Sequence, residues 1–240
     1  MDRTMKIYNS LATDMWTASG IDPKKNPIVS VVGAGGKTSL IKHLSCELSK
    51  RKIFHYIATT TKMWPMDAGI YAKQIGTLDE NGKVSPSSEE EWQKIFMEGC
   101  PVLIEADGSK GLPCKVPESQ EPVFRKETTH VFGVLGMSCL NRKIDEICHR
   151  PLKVMELLNC MEDHLLSVDD IIKIAVSSKG LRKSVKDDWS YQVVLNQVDD
   201  LKTFEQIKYA EKYLAEKAGC PIWFTQLFEE KTDKDNGDFV

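Results

Sequence analysis

The chain has 240 residues, 41% of them hydrophobic, with a formal net charge of −3. That length and apolar content suit one large α/β domain or two small ones. The charge balance gives no sign of a nucleic-acid or membrane-surface protein, and no run is apolar enough to span a bilayer. Seven scattered cysteines without a C-x-x-C pair read as reduced thiols. The N-terminus lacks a signal-peptide pattern, so the expected location is the cytoplasm.

Residues 1–27 read as an N-terminal helical extension. Ile7, Leu11, Met15 and Trp16 recur at helical spacing and Gly20 could end the helix. Asp22–Pro27 is a polar connector. The main domain is expected over 28–228, and the charged segment 229–240 reads as a frayed tail.

Ile28–Leu40, IVSVVGAGGKTSL, is the most informative stretch. A β-branched run enters a glycine-rich turn, and an amphipathic helix over Ser39–Lys52 follows directly. Strand, glycine-rich loop and helix form the layout of a phosphate-binding P-loop. Glycines let backbone N–H groups approach an anion, and the helix N-terminus adds roughly half a positive charge. Lys37 would reach the β- and γ-phosphates, and Thr38 would offer its hydroxyl to Mg²⁺. The loop is a variant: Val31 stands where the standard pattern has its first glycine. A dinucleotide fingerprint fails, because Thr38 replaces its last glycine.

Ile53–Ala58 is a second strand, ending in Thr59-Thr60-Thr61-Lys62-Met63-Trp64-Pro65. Strand C-termini carry the site in parallel sheets, and the hydroxyls and lysine suit a metal–phosphate centre. Asp79-Glu80-Asn81-Gly82 reads as the turn of an edge hairpin over 73–85. Ser88–Met97 is a helix capped by Ser88.

Val102-Leu103-Ile104-Glu105-Ala106-Asp107-Gly108 is an apolar strand ending in acids, a Walker B arrangement. Either Glu105 or Asp107 could hold magnesium, and Asp107, nearer the strand end, is favoured. The following Gly- and Pro-rich loop presents Lys110 as a phosphate or substrate contact. Thr129–Leu135 is a strand, and Asn141–Ile147 looks polar and mobile. His149-Arg150-Pro151 precedes a helix over Leu152–Leu158. Arg150 could bind an anion as a planar fork, and His149 could transfer protons. A short capped helix covers Ser167–Ala175.

Tyr191–Leu195 is a strand leading into Asn196-Gln197-Val198-Asp199. This is similar to the N-K-x-D guanine-recognition element of GTPases, with glutamine in place of lysine. Thr203–Ala218 is the clearest helix, and Pro221–Leu227 is a final strand.

Together GAGGKT at 33–38, TTTKMWP at 59–65, EADGSKGLPCKVP at 105–117, HRP at 149–151 and LNQVD at 195–199 resemble the YqeC family. That family is described as accessory to selenium-dependent molybdenum hydroxylases. The resemblance implies a role in selenium-cofactor biosynthesis or insertion, with the hydroxylase or its cofactor as partner.

The combined expectation is a three-layer, P-loop NTPase-like α/β domain with a mainly parallel sheet and an edge hairpin. Lys37, Asp107, Lys110 and Arg150 are the candidate catalytic residues. Gly33, Ala34, Gly35, Gly36, Lys37, Thr38, Ser39, Thr60, Thr61, Lys62, Asn196 and Asp199 would bind ATP or GTP, and Thr38 and Asp107 the Mg²⁺. The alternative is a non-catalytic carrier that holds a nucleotide-bearing molybdenum cofactor by its pyrophosphate.

Overall fold

The computed structural model describes residues 5–7, 14–67, 69–198 and 216–227. In chain order the strands and helices begin with β1 (Met5–Ile7), α1 (Met15–Ser19), β2 (Ile28–Gly33), α2 (Lys37–Lys50) and β3 (His55–Thr59). Next come β4 (Ala72–Gln74), β5 (Thr77–Leu78), β6 (Val84–Ser85), α3 (Glu89–Met97), β7 (Val102–Glu105) and β8 (Cys114–Lys115). The chain continues with β9 (His130–Gly136), α4 (Ile144–Ile147), β10 (Cys148–His149), α5 (Pro151–Leu158), α6 (Val168–Val176), β11 (Ser190–Asn196) and β12 (Ile222–Leu227).

The central sheet has the order β1-β12-β11-β9-β2-β7-β3-β4. Seven of these strands are parallel, and β1 joins β12 antiparallel at one edge. Parallel strands covered on both faces need continuous apolar runs, and β2, β7, β9 and β11 supply them. Alternation along the strands sorts the side chains. Val31, Ile57, Leu103 and Phe132 pack with Trp16, Leu40, Ile41 and Leu44 of α1 and α2. On the opposite face, Val32, Leu135 and Leu195 pack with Val154, Ile171 and Ile172 of α5 and α6. Tyr56, Ala58 and Ile104 pack with Trp92 and Ile95 of α3. The result is a three-layer α/β sandwich with the expected mainly parallel sheet.

Local sequence explains several boundaries. Ser88 accepts a hydrogen bond from Glu91 N and caps α3. Ser167 and Asp170 form a reciprocal capping box on α6. Pro151 is the first residue of α5, where its missing N–H costs nothing.

Three expectations need correction. Ile7 lies in a strand rather than a helix, Leu11 lies outside the described residues, and the helix that holds Met15 and Trp16 is Met15–Ser19, capped by Asp14 and ended by Gly20. The spacing read as one helix spans two elements. Gln74 belongs to β4, a main-sheet strand paired with β3, so the hairpin proper is β5–β6, a separate two-stranded sheet. Asn141–Ile147 contains α4, anchored by the fully buried Ile144; its polar neighbours masked that anchor. The long helix read over Thr203–Ala218 and the tail 229–240 fall mostly outside the described residues, with helix described at 216–218. Among the described residues no helix is long and apolar enough to cross a membrane.

Candidate functional site

Strand β2 is the switch point of the sheet. From it α2 leads to β3 on one flank, while β9, β11 and β12 extend the other. Ligands of open α/β sheets bind outside the strand carboxyl ends at such a point. A cleft of about 1010 Å³ lies there, large among small-molecule sites. It is lined by Gly35–Ser39 after β2, Thr61–Trp64 after β3, Glu105 at the end of β7 and Gly108–Gly111 beyond it. Lys83, Glu121, His149, Arg150 and Gln197 complete the lining.

The glycine turn is held rigidly. A Cβ on Gly35 would lie 2.3 Å from Gly136 N, and one on Gly36 would lie 2.2 Å from Asn196 Nδ2. Both residues also have positive φ, 76° and 128°, so glycine is required twice over. The turn's amides are partly committed, against expectation. Gly33 N donates to both Asp107 oxygens, Ala34 N to Val134 O at 2.8 Å, and Gly35 N to Leu112 O at 3.2 Å. Gly33 and Ala34 therefore face the protein, not the cleft. The anion-seeking N–H groups are those of the first turn of α2, whose N-cap Gly36 provides no side-chain acceptor.

Lys37 Nζ donates to Gly33 O at 2.7 Å and stands 3.3 Å from Asp107 Oδ1. Lys115, fully buried, reaches Asp107 Oδ2 at 3.0 Å, Glu121 Oε2 at 2.8 Å and Gly108 O at 2.6 Å. Asp107 thus lies between two lysines and an amide and is buried behind the cleft wall. Glu105 takes the position that the sequence reading favoured for Asp107. It lines the cleft, and its Oε2 accepts the Thr38 hydroxyl at 2.8 Å. Burial pushes the Glu105 carboxyl above its ordinary range, and Asp107 adds to this, while Lys37 and the Thr38 hydroxyl pull the other way.

Thr38 and Glu105 make a hard-oxygen donor pair that fits Mg²⁺, and a dication would relieve the cost of the buried carboxylate. Among the described residues no group of three or more His, Cys, Asp and Glu could hold a metal. An ion here would depend on these two side chains and on ligand phosphates.

Beyond Lys115 the network continues to the cleft surface. Arg150, at positive φ ahead of α5, forms a two-pronged bond to Glu121 at 2.6 and 3.1 Å. Burial alone would raise the Glu121 carboxyl; the contacts with Arg150 and Lys115 outweigh it and hold it at about 2. His149 is pushed below its ordinary value by burial and by the charges of Arg150, Lys115 and Lys110, all of which favour the neutral ring. Its Nδ1 is buried without a partner among the described residues. Lys110 is exposed at the cleft edge.

At the end of β3, Thr61 and Lys62 line the cleft, while Thr60 turns inward, its N donating to Glu105 O at 3.1 Å. Thr59 Oγ1 donates to the same carbonyl at 3.0 Å, which locks the β3 end to β7. Lys62 binds Asp79 of the hairpin turn at 2.7 Å. Asn196 is buried: its Nδ2 donates to Gly35 O at 2.9 Å and its Oδ1 accepts from Thr225 at 3.1 Å. It braces the glycine turn from β11. Gln197, at φ 63°, lines the cleft and accepts the Ser138 hydroxyl at 2.7 Å. Asp199 lies outside the described residues.

Sequence reading missed Lys115 and Glu121. The one signal for Lys115 was a lysine set among Cys114, Val116 and Pro117, apolar on both sides. Glu121 carried no local signal, because it becomes meaningful only against Arg150 and Lys115.

Comparison with known proteins gives one consistent result. A family model described as "YqeC protein" matches residues 29–152. The chain is 30% identical over 190 residues to "Uncharacterized protein YqeC" of Escherichia coli strain K12, an alignment covering 68% of this chain and 72% of that protein. No solved structure matches. The matched region contains the glycine turn, both acids, Lys115, Glu121 and Arg150, and the chain belongs to the YqeC family.

Proposed function

We propose that this protein binds a magnesium-complexed nucleoside triphosphate, ATP or GTP, in a variant P-loop, and hydrolyses it or transfers part of it. The observation that carries this reading is the start of α2. A first helical turn without a side-chain cap, the Lys37 ammonium and the Thr38–Glu105 pair all meet at one end of one cleft. Helix N–H groups and a lysine are the usual partners of phosphate oxygens.

In this reading Lys37 leaves Gly33 O and pairs with phosphate oxygens, while Asp107 keeps its ammonium aimed at the turn. Thr38 and Glu105 would hold Mg²⁺, which when bound offsets charge on the β- and γ-phosphates. Lys110, exposed at the cleft edge, is positioned to meet charge that moves outward during transfer. Arg150 is tied to Glu121 and acts first as a fixed wall. By family resemblance, the consumer of this chemistry is the maturation of a selenium-dependent molybdenum hydroxylase or its cofactor.

The test is titration calorimetry of Mg-ATP and Mg-GTP against the parent and Lys37→Ala. Loss of one charge-assisted contact weakens binding about ten- to hundredfold. Equal affinity in both proteins overturns the reading. Phosphate-release assays on the parent then separate turnover from carriage of a nucleotide-bearing cofactor. Deletion of the gene should lower hydroxylase activity in a host that makes such an enzyme; unchanged activity removes that assignment.

A further inference from the structure

The half of the cleft formed by the β3 end and the hairpin is not needed to hold phosphates, yet it is firmly built. Met63 N donates to Val84 O at 3.1 Å and Val84 N to Met63 O at 2.8 Å, a bridge that fastens the hairpin to the segment after β3. Met63 and Val84 are both buried in the core beneath α2. Lys62–Asp79 closes the same junction from the turn. Gln74 secures the other side, donating from Nε2 to Trp64 O at 3.4 Å and accepting Met66 N at 2.8 Å.

What this scaffold presents is an indole. Trp64 is 60% exposed although its backbone is pinned on both sides. Lys83 Nζ lies 5.0 Å from the ring centroid, over one face. Trp64, Lys62 and Lys83 line the same cleft as Lys37 and Thr38. Among the described residues Lys83 has the ring, not a carboxylate, as its partner. An exposed, rigidly placed aromatic face costs little entropy to use and stacks on flat ring systems. The Lys83 ammonium over one face leaves the other face for stacking, and with Lys62, which lines the same cleft while paired with Asp79, it selects an anion on that ring's substituent.

We propose that Trp64, Lys62 and Lys83 form a second ligand subsite that binds a planar heteroaromatic anion of the nucleoside-monophosphate class. The ring stacks on Trp64 and the anionic group meets Lys83 and Lys62. This deepens the nucleotide reading, since the glycine turn would hold the triphosphate at the other end of the same cleft. It gives the hairpin a purpose: Asp79 and Val84 set the positions of Lys62 and Trp64.

The experiment is calorimetric titration of AMP, GMP, CMP and FMN into the protein, with and without saturating Mg-ADP. Variants are Trp64→Ala, Trp64→Phe and Lys83→Ala. At least one probe binds the parent in the presence of Mg-ADP. Trp64→Ala weakens it about tenfold or more, and Trp64→Phe, which keeps a ring, restores most of the affinity. Lys83→Ala weakens the monophosphate but not the corresponding nucleoside. Thermal melting confirms that the exposed-site variants stay folded. Failure of all four probes to bind in the presence of saturating Mg-ADP, or unchanged affinity in Trp64→Ala, overturns the subsite. If Mg-ADP does not bind the parent, the nucleotide reading fails, and dependence of the probes on Trp64 still decides this one.

Discussion

Thr38 donates its hydroxyl to Glu105 Oε2 across 2.8 Å, joining the first turn of α2 to the end of β7. Asp107, two residues further along, is spent on holding Lys37, Lys115 and the Gly33 amide. Two acids on one strand end have therefore divided their work, one toward the cleft and one toward the interior.

Glu105→Gln tests the cleft-facing role. Losing the carboxylate should raise the Mg²⁺ concentration needed for nucleotide binding roughly tenfold. Without nucleotide, the variant should melt no lower than the parent, because burial disfavours the charged form of Glu105. Calorimetry across a magnesium series checks the first point and differential scanning fluorimetry the second. Unchanged magnesium dependence excludes Glu105 as a metal ligand.

Lys115→Met tests the interior-facing role. It leaves Asp107 and Glu121 without a shared cation, and removing one member of a buried ionic cluster costs roughly 3–5 kcal/mol. Urea unfolding should show a loss of that size. A loss below about 1 kcal/mol would mean that the two carboxylates relax into water and that the network does not order the turn.

Glu47 provides a prediction from pH. Both its oxygens accept Met15 N, at 3.0 and 3.2 Å, so it holds the start of α1. Burial raises its carboxyl to about 7. The native state therefore keeps a proton that the unfolded chain gives up near 4.5. Stability from this group is present below that point and falls as pH rises toward 7, then levels off. Buried His55, whose ring is pushed down by burial, has the opposite sign near its unfolded value. The informative quantity is thus the difference between parent and Glu47→Gln in urea midpoints from pH 4.5 to 8. The variant should gain relative to the parent as pH rises; a flat difference would show that Glu47 is not held protonated.

The order of elements was readable because parallel strands are written as apolar runs and helices carry their own caps, as at Ser88 and Ser167. The glycine turn was equally readable, since few other residues tolerate the φ of Gly35 and Gly36. The division between Glu105 and Asp107 was not, because proximity to a strand end does not tell which way a side chain points. Alternation along β7 gives no hint of it: Glu105 and Asp107 share a parity, and Asp107 lies past the strand end, so the turn after Glu105 decides. Lys115, Glu121 and Arg150 meet only through the pairing of β8 with β10, a contact of two short strands with no pattern to detect.

Asn196 distinguishes two accounts of the segment after β11. As a base reader it would bias the site toward guanine. The structure has it bracing the turn, with Nδ2 on Gly35 O and Oδ1 on the Thr225 hydroxyl. Asn196→Ala removes both bonds and leaves buried partners unpaired, at a cost of roughly 1–3 kcal/mol each. Loosening a turn that is shared by every triphosphate should weaken Mg-ATP and Mg-GTP by the same factor, about tenfold. A base contact would instead be lost for GTP alone. Competition of the two nucleotides against one fluorescent triphosphate, for parent and variant, reads the ratio directly. A ratio that shifts more than threefold against GTP would assign Asn196 to the base; an unshifted ratio with weaker binding of both assigns it to the turn.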